Sequence, residues 1–131
     1  MKRAMTTKQM ILIVALPSDL QIGLQALLAV LNDVEVLVAA EGPLAQEVVE
    51  KHAPSLVILD GDLPGDSALL AANQIKARWP EVRCLVLVSD EQQRQRVGET
   101  SADLVLIKGY PPAKLIAAIQ GLLSCEERVR E

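Results

Sequence analysis

Phenylalanine is absent from this chain, and Trp79 and Tyr110 are its only aromatic residues. Half of the 131 residues are nonetheless apolar, so the core has to be assembled mainly from Leu, Val, Ile and Ala. That composition suits a parallel sheet buried on both faces by helices. Basic blocks are lacking too: beyond Lys2-Arg3 and Lys8 the Lys and Arg residues are scattered, and 13 of them face 17 acids for a net charge of -4. Phosphate backbones are gripped by clustered cations, so nucleic acid is not expected as a partner. No apolar run approaches the roughly eighteen residues a membrane span requires. The two cysteines, Cys84 and Cys125, match neither a zinc motif nor a small disulfide framework, and read as incidental or buried thiols of a reducing cytoplasm. The single histidine, His52, falls near the end of a helical stretch, where it complements the helix dipole.

A chain of this length accommodates one domain. The basic leader over residues 1–8 precedes the short apolar stretch Met10 to Leu16, which no small-residue cleavage site follows. That stretch reads as a first strand and not as a secretory signal. A domain over 9–124 and a tail or linker stump over 125–131 complete the division, and a cytoplasmic location is expected.

Short β-branched runs alternate with longer amphipathic stretches. Strands are predicted near 10–15, 34–39, 55–60, 82–88 and 103–107, with helices near 18–31, 43–52, 66–78, 90–99 and 111–123. Ser18 or Asp19 can cap the first helix, Asp66-Ser67 can open the third, and Pro111-Pro112 starts the last. Pro54 and Pro80 end the second and third. The fourth is almost wholly polar apart from Val97, and its Gln92 to Arg96 run reads as a solvated face. Five βα units in series imply a doubly wound, flavodoxin-like parallel sheet in the order 2-1-3-4-5, whose ligands gather at the carboxyl ends of the strands.

Those ends carry Ala15-Leu16, Ala39-Ala40, Asp60, Ser89 and Lys108. In that strand order the last three are neighbours. A carboxylate to attack, a hydroxyl to donate to one phosphoryl oxygen and an ammonium group to neutralise another make a phosphoryl site. Taken with the segments Ile11-Leu12-Ile13-Val14, Gly23-Leu24, Leu56-Val57-Ile58-Leu59-Asp60, Leu63-Pro64-Gly65, Leu85-Val86-Leu87-Val88-Ser89 and Ala102 to Gly109, the chain resembles the response-regulator receiver family, the CheY-like domain of two-component phosphorelay signalling. The resemblance implies that Asp60 is the phosphoacceptor, Ser89 the switch hydroxyl and Lys108 the conserved lysine. It also implies that Asp62 offers a backbone carbonyl to a metal, and that Tyr110 is the aromatic residue that follows the lysine.

Two positions depart from that family. Its acidic metal-binding pair falls on Ala15 and Leu16, and its aromatic switch falls on Val105. Mg²⁺ wants several oxygen ligands in octahedral geometry, so one carboxylate and a carbonyl make a weak site and no cofactor is expected. Asp19 or Asp62 reaching the site through a water is one alternative; a helix cap and a solvated loop residue is the other. Asp60 itself is either a residual phosphoacceptor or a carboxylate kept as the ion-pair partner of Lys108.

The expected function is accordingly that of an atypical receiver, or pseudo-receiver, with weak or no phosphorylation and no enzymatic activity. Its protein partners would dock on the fourth helix, fifth strand and fifth helix, with a histidine kinase upstream and a homodimer as further associations. A working phosphoacceptor at Asp60 is the first alternative. A flavodoxin-like cofactor protein is the second, although the turn Ala15 to Asp19 lacks a phosphate cradle and no nucleophile elbow is present.

Overall fold

A computed structural model describes residues 9–64, 67–98 and 101–129, with side chains through Leu123. The leader, Gly65-Asp66, the Cys125 side chain and the end of the tail therefore lie outside the described residues. The elements run β1 (Gln9–Val14), α1 (Asp19–Leu28), β2 (Val34–Ala39), α2 (Gly42–His52), β3 (Leu56–Asp60), α3 (Ser67–Arg78), β4 (Arg83–Val88), α4 (Glu91–Val97), β5 (Leu104–Ile107) and α5 (Pro112–Val129). The strands form one parallel sheet in the order β2-β1-β3-β4-β5, the predicted 2-1-3-4-5 arrangement.

Strand periodicity divides the core in two, because successive side chains leave a strand on opposite faces. Ile11, Ile13, Leu56, Ile58, Leu85 and Leu87 meet Leu24 and Leu28 of α1 and Ile119 and Leu123 of α5. Leu12, Val14, Val57, Leu59, Val86 and Val88 meet Ala45 and Val49 of α2, Ala68, Ala71, Ala72 and Ile75 of α3, and Val97 of α4. Alanines dominate the contact face of α3, and they let α2 approach closely. A Cβ placed on Gly42 would touch that of Ala71 at 3.4 Å.

Several helix ends differ from the predicted ones for local reasons. Ser18 is the cap of α1 and accepts from Gln21 N, leaving Asp19 in the first turn. The helix stops at Leu28, short of residue 31, because the chain tightens: Val30 N donates to Leu27 O and Leu31 N to Leu28 O, both three residues back. Pro54 does not itself end α2; Ala53 does, in a left-handed conformation at φ 48°. The last helix continues to Val129, past the expected end at 123. At the opposite end of the sheet from the strand carboxyl termini, Asp103 accepts from Lys76 and from Cys84 N and pairs with Arg83, fastening α3 to the entrances of β4 and β5.

Candidate functional site

Asp60 is the last residue of β3 and lies opposite Leu87 of β4 in the ladder. The next residue has to be small. Gly61 N donates to Leu87 O at 2.7 Å, and a Cβ on Gly61 would stand 2.7 Å from that same carbonyl oxygen. The chain then reverses, with Asp62 N donating to Asp60 Oδ1 at 2.9 Å and Leu63 N to Asp60 O at 3.1 Å. A carboxylate that accepts from the amide two residues on is a standard turn-former, and here it swings the Asp62 side chain back over the strand ends.

Lys108 follows β5, positioned by its amide, which donates to Val88 O at 2.7 Å. Its ammonium group lies 2.7 Å from Asp60 Oδ1 and 2.7 Å from Asp62 Oδ2. Ser89, one residue past β4, donates its hydroxyl to Asp62 Oδ2. Gln93 completes the cluster: its Nε2 donates to Asp62 Oδ1 at 3.1 Å and to Gly61 O at 2.8 Å, while its Oε1 accepts from Ser89 N at 2.7 Å. Asp62 is therefore the hub.

Asp60, Ser89 and Lys108 converge, but Ser89 meets Asp62 and not Asp60. Asp62 is a loop residue with nearly half of its side chain exposed, as one alternative has it, but it also reaches the site, by direct bonds with Lys108, Ser89 and Gln93 and not through a water. The solvated-face reading of the Gln92 to Arg96 run fails at Gln93, whose amide bridges three strand-end residues. Its signal in the sequence was Asp90-x-x-Gln93, the spacing of a capping box. Asp90 accepts from Gln93 N as the cap of α4, and the Gln93 side chain reaches back one residue further, to Ser89 N.

Electrostatics follow the geometry. The Lys108 ammonium and the Ser89 hydroxyl hold the Asp62 carboxyl at about 2, well below its ordinary 3.8. Partial burial pulls Lys108 down, but its hydrogen bonds to Asp60 and Asp62 outweigh that and raise it. Among the described residues, Asp60 Oδ1 takes both bonds to that side chain, from Lys108 Nζ and Asp62 N, and Oδ2 has no hydrogen-bond partner.

Ala15 and Leu16, which follow β1, carry no side-chain oxygen. Ala15 is fully buried and its carbonyl accepts from Gln21 Nε2 at 2.8 Å. Leu16 is 46% exposed and its carbonyl accepts from Ser18 Oγ at 2.9 Å. Asp19 borders a largely apolar cleft of about 250 Å³ that runs between α1 and α5 to Lys108 and Tyr110, and makes no ion pair among the described residues. No group of three potential His, Cys, Asp or Glu metal ligands occurs among the described residues. None of the described helices is long and apolar enough to cross a membrane.

Comparison with known proteins adds the context. The model of the family described as Response regulator receiver domain matches residues 11–120. The chain is 32% identical over 111 residues to the oxygen regulatory protein NreC of Staphylococcus epidermidis, covering 82% of this chain and 51% of that protein. It thus spans about half the length of the curated relatives it matches. The signal receiver domain of an HD domain-containing protein from Pseudomonas fluorescens Pf-5 superposes with a TM-score of 0.87 at 20% identity, over 98% of this chain and 96% of that one. The receiver domain of a sensor histidine kinase from Pseudomonas aeruginosa PAO1, with a magnesium ion coordinated in its active site cleft, gives 0.80 at 22% identity, over 88% and 98%. At those identities the structural likeness is one of fold.

Proposed function

This chain belongs to the response regulator receiver family of two-component signalling, and from that premise we propose that it is an atypical receiver that works by protein interaction, with little or no phosphoryl transfer to Asp60. The observation that carries the reading is the charge arrangement around Asp60. Phosphoryl transfer depends on positioning the reacting groups and on placing cations where charge accumulates. Among the described residues the one cation in contact with Asp60, Lys108, is shared with a second carboxylate. An incoming phosphoryl group would bring its negative oxygens against both acids. Two like charges about 4 Å apart repel by roughly 4 kcal/mol at the effective dielectric of a protein surface, which by itself offsets a large part of what one lysine contributes.

The donor set does not fit Mg²⁺. Ala15 and Leu16 supply no side-chain oxygen, and the two carboxylates within reach both hold an ammonium group that would have to leave. No step is assigned to a metal. Receiver domains exchange signals with kinases and output domains, and the surface assigned to such partners here is α4, β5 and α5. Along it the polar face of α4 lies beside a strand whose four residues are only partly buried.

One observation favours the alternative of a working phosphoacceptor: Asp60 Oδ2 is unengaged among the described residues, while Lys108 steadies the other oxygen. Incubation with acetyl phosphate and Mg²⁺ followed by intact-mass measurement decides between the two. The expected result is an unchanged mass. A stoichiometric phosphoryl adduct, lost in Asp60→Asn, overturns the proposal.

A further inference from the structure

We propose that the Asp62 carboxylate is a built-in occupant of the anionic position between Lys108 and Ser89, holding α4 in the arrangement that a phosphoryl group on Asp60 would otherwise have to create. This rests on the interaction-module reading of the chain. A phosphoryl group on Asp60 would need one oxygen against an ammonium group and another against a hydroxyl. Both groups already turn to one oxygen: Asp62 Oδ2 accepts from Lys108 Nζ at 2.7 Å and from Ser89 Oγ. The other Asp62 oxygen accepts from Gln93 Nε2 at 3.1 Å, which carries the contact into the first turn of α4.

The consequence reaches the helix through covalent neighbours. Ser89 precedes the α4 cap Asp90, and the Ser89 amide is held by the Gln93 side chain. Loop and helix are thus fastened to one carboxylate at two points, Ser89 and Gln93, with Lys108 of the next strand end as a third. Asp62 is a positioning residue: it makes its effect through Ser89, Gln93 and Lys108. Its own geometry is set upstream by the bond from its amide to Asp60 Oδ1, so Asp60 acts here as the support of the stand-in and not as its competitor.

The test is amide NMR and hydrogen exchange on the full chain, comparing wild type with Asp62→Ala, Ser89→Ala and the double variant. Urea midpoints confirm that each retains the fold. Asp62→Ala is expected to shift the amides of Ser89, Gln93, Val97 and Lys108 and to speed exchange across α4 by about tenfold, the factor that loss of one charge-assisted hydrogen bond produces. Ser89→Ala should move the same α4 amides, and the double variant should add nothing to the larger single effect. Inorganic phosphate at millimolar concentration should restore α4 protection in Asp62→Ala, saturably, while leaving the wild type unchanged.

Unaltered α4 exchange in Asp62→Ala, additive single effects, absence of phosphate rescue, or an equal phosphate response in the wild type would each overturn the inference. Its failure is distinguishable from that of the functional reading. A phosphoryl adduct on Asp60 contradicts the latter alone, whereas an α4 indifferent to Asp62 in an unphosphorylated chain contradicts this inference alone.

Discussion

Asp62 illustrates how much a single side chain can change in the reading of a site. Its carboxyl is depressed from 3.8 to about 2 chiefly by the hydrogen bond from Lys108, then by that from Ser89. A depressed acid contributes stability that is complete above its unfolded value and lost as pH falls through the folded one. The NMR shifts of Ser89 and Lys108 are therefore expected to hold nearly constant from neutrality down to about pH 3 and to move together through a midpoint of about pH 2. A midpoint at the ordinary 3.8 would mean that the Lys108 contact is not maintained in solution. Asp60, Ser89 and Lys108 were legible beforehand, since each ends an apolar run and strand order makes them neighbours. Asp62 was legible only as one of two open alternatives, because its direction depends on one hydrogen bond inside a turn, which spacing does not encode.

At the level of elements, apolar periodicity located every strand to within about a residue and the first and last helices by their apolar stripes, while Gly, Pro and cap residues bounded the others. What it could not give were helix ends fixed by the backbone, such as the tightened turn after Leu28 and the left-handed Ala53. Nor could it orient α4, which has one buried apolar anchor, Val97, and is otherwise placed by polar contacts. So short a helix depends heavily on its cap. Asp90→Ala removes the acceptor for Gln93 N and is expected to cost about 1 kcal/mol. Most of that loss should appear as local opening. Hydrogen exchange of α4 should accelerate markedly more than that of β1 or β3, and uniform acceleration through all elements would show that α4 does not open separately.

For the molecule as a whole, stability and chemistry occupy different territory. The two apolar clusters hold the sheet from both sides, while the polar cluster sits beyond the carboxyl ends of three strands. Substitutions at the strand ends need not cost the fold much, provided that the position is exposed. Ala15 and Leu16 differ sharply in that respect, one fully buried and the other 46% exposed. Leu16→Asp is expected to leave stability within about 0.5 kcal/mol. Ala15→Asp buries a carboxylate and should cost about 2 kcal/mol or more. Urea unfolding of both variants measures the difference, and equal midpoints would show that the Ala15 pocket opens easily. The burial of Ala15 also makes the two neighbouring positions unequal as places for new chemistry. Position 16 can accept an oxygen ligand without any repacking, whereas at position 15 the surrounding apolar atoms must first be forced apart. A pair of acids built into this loop would therefore gain its exposed member cheaply and its buried member only at the expense of the core.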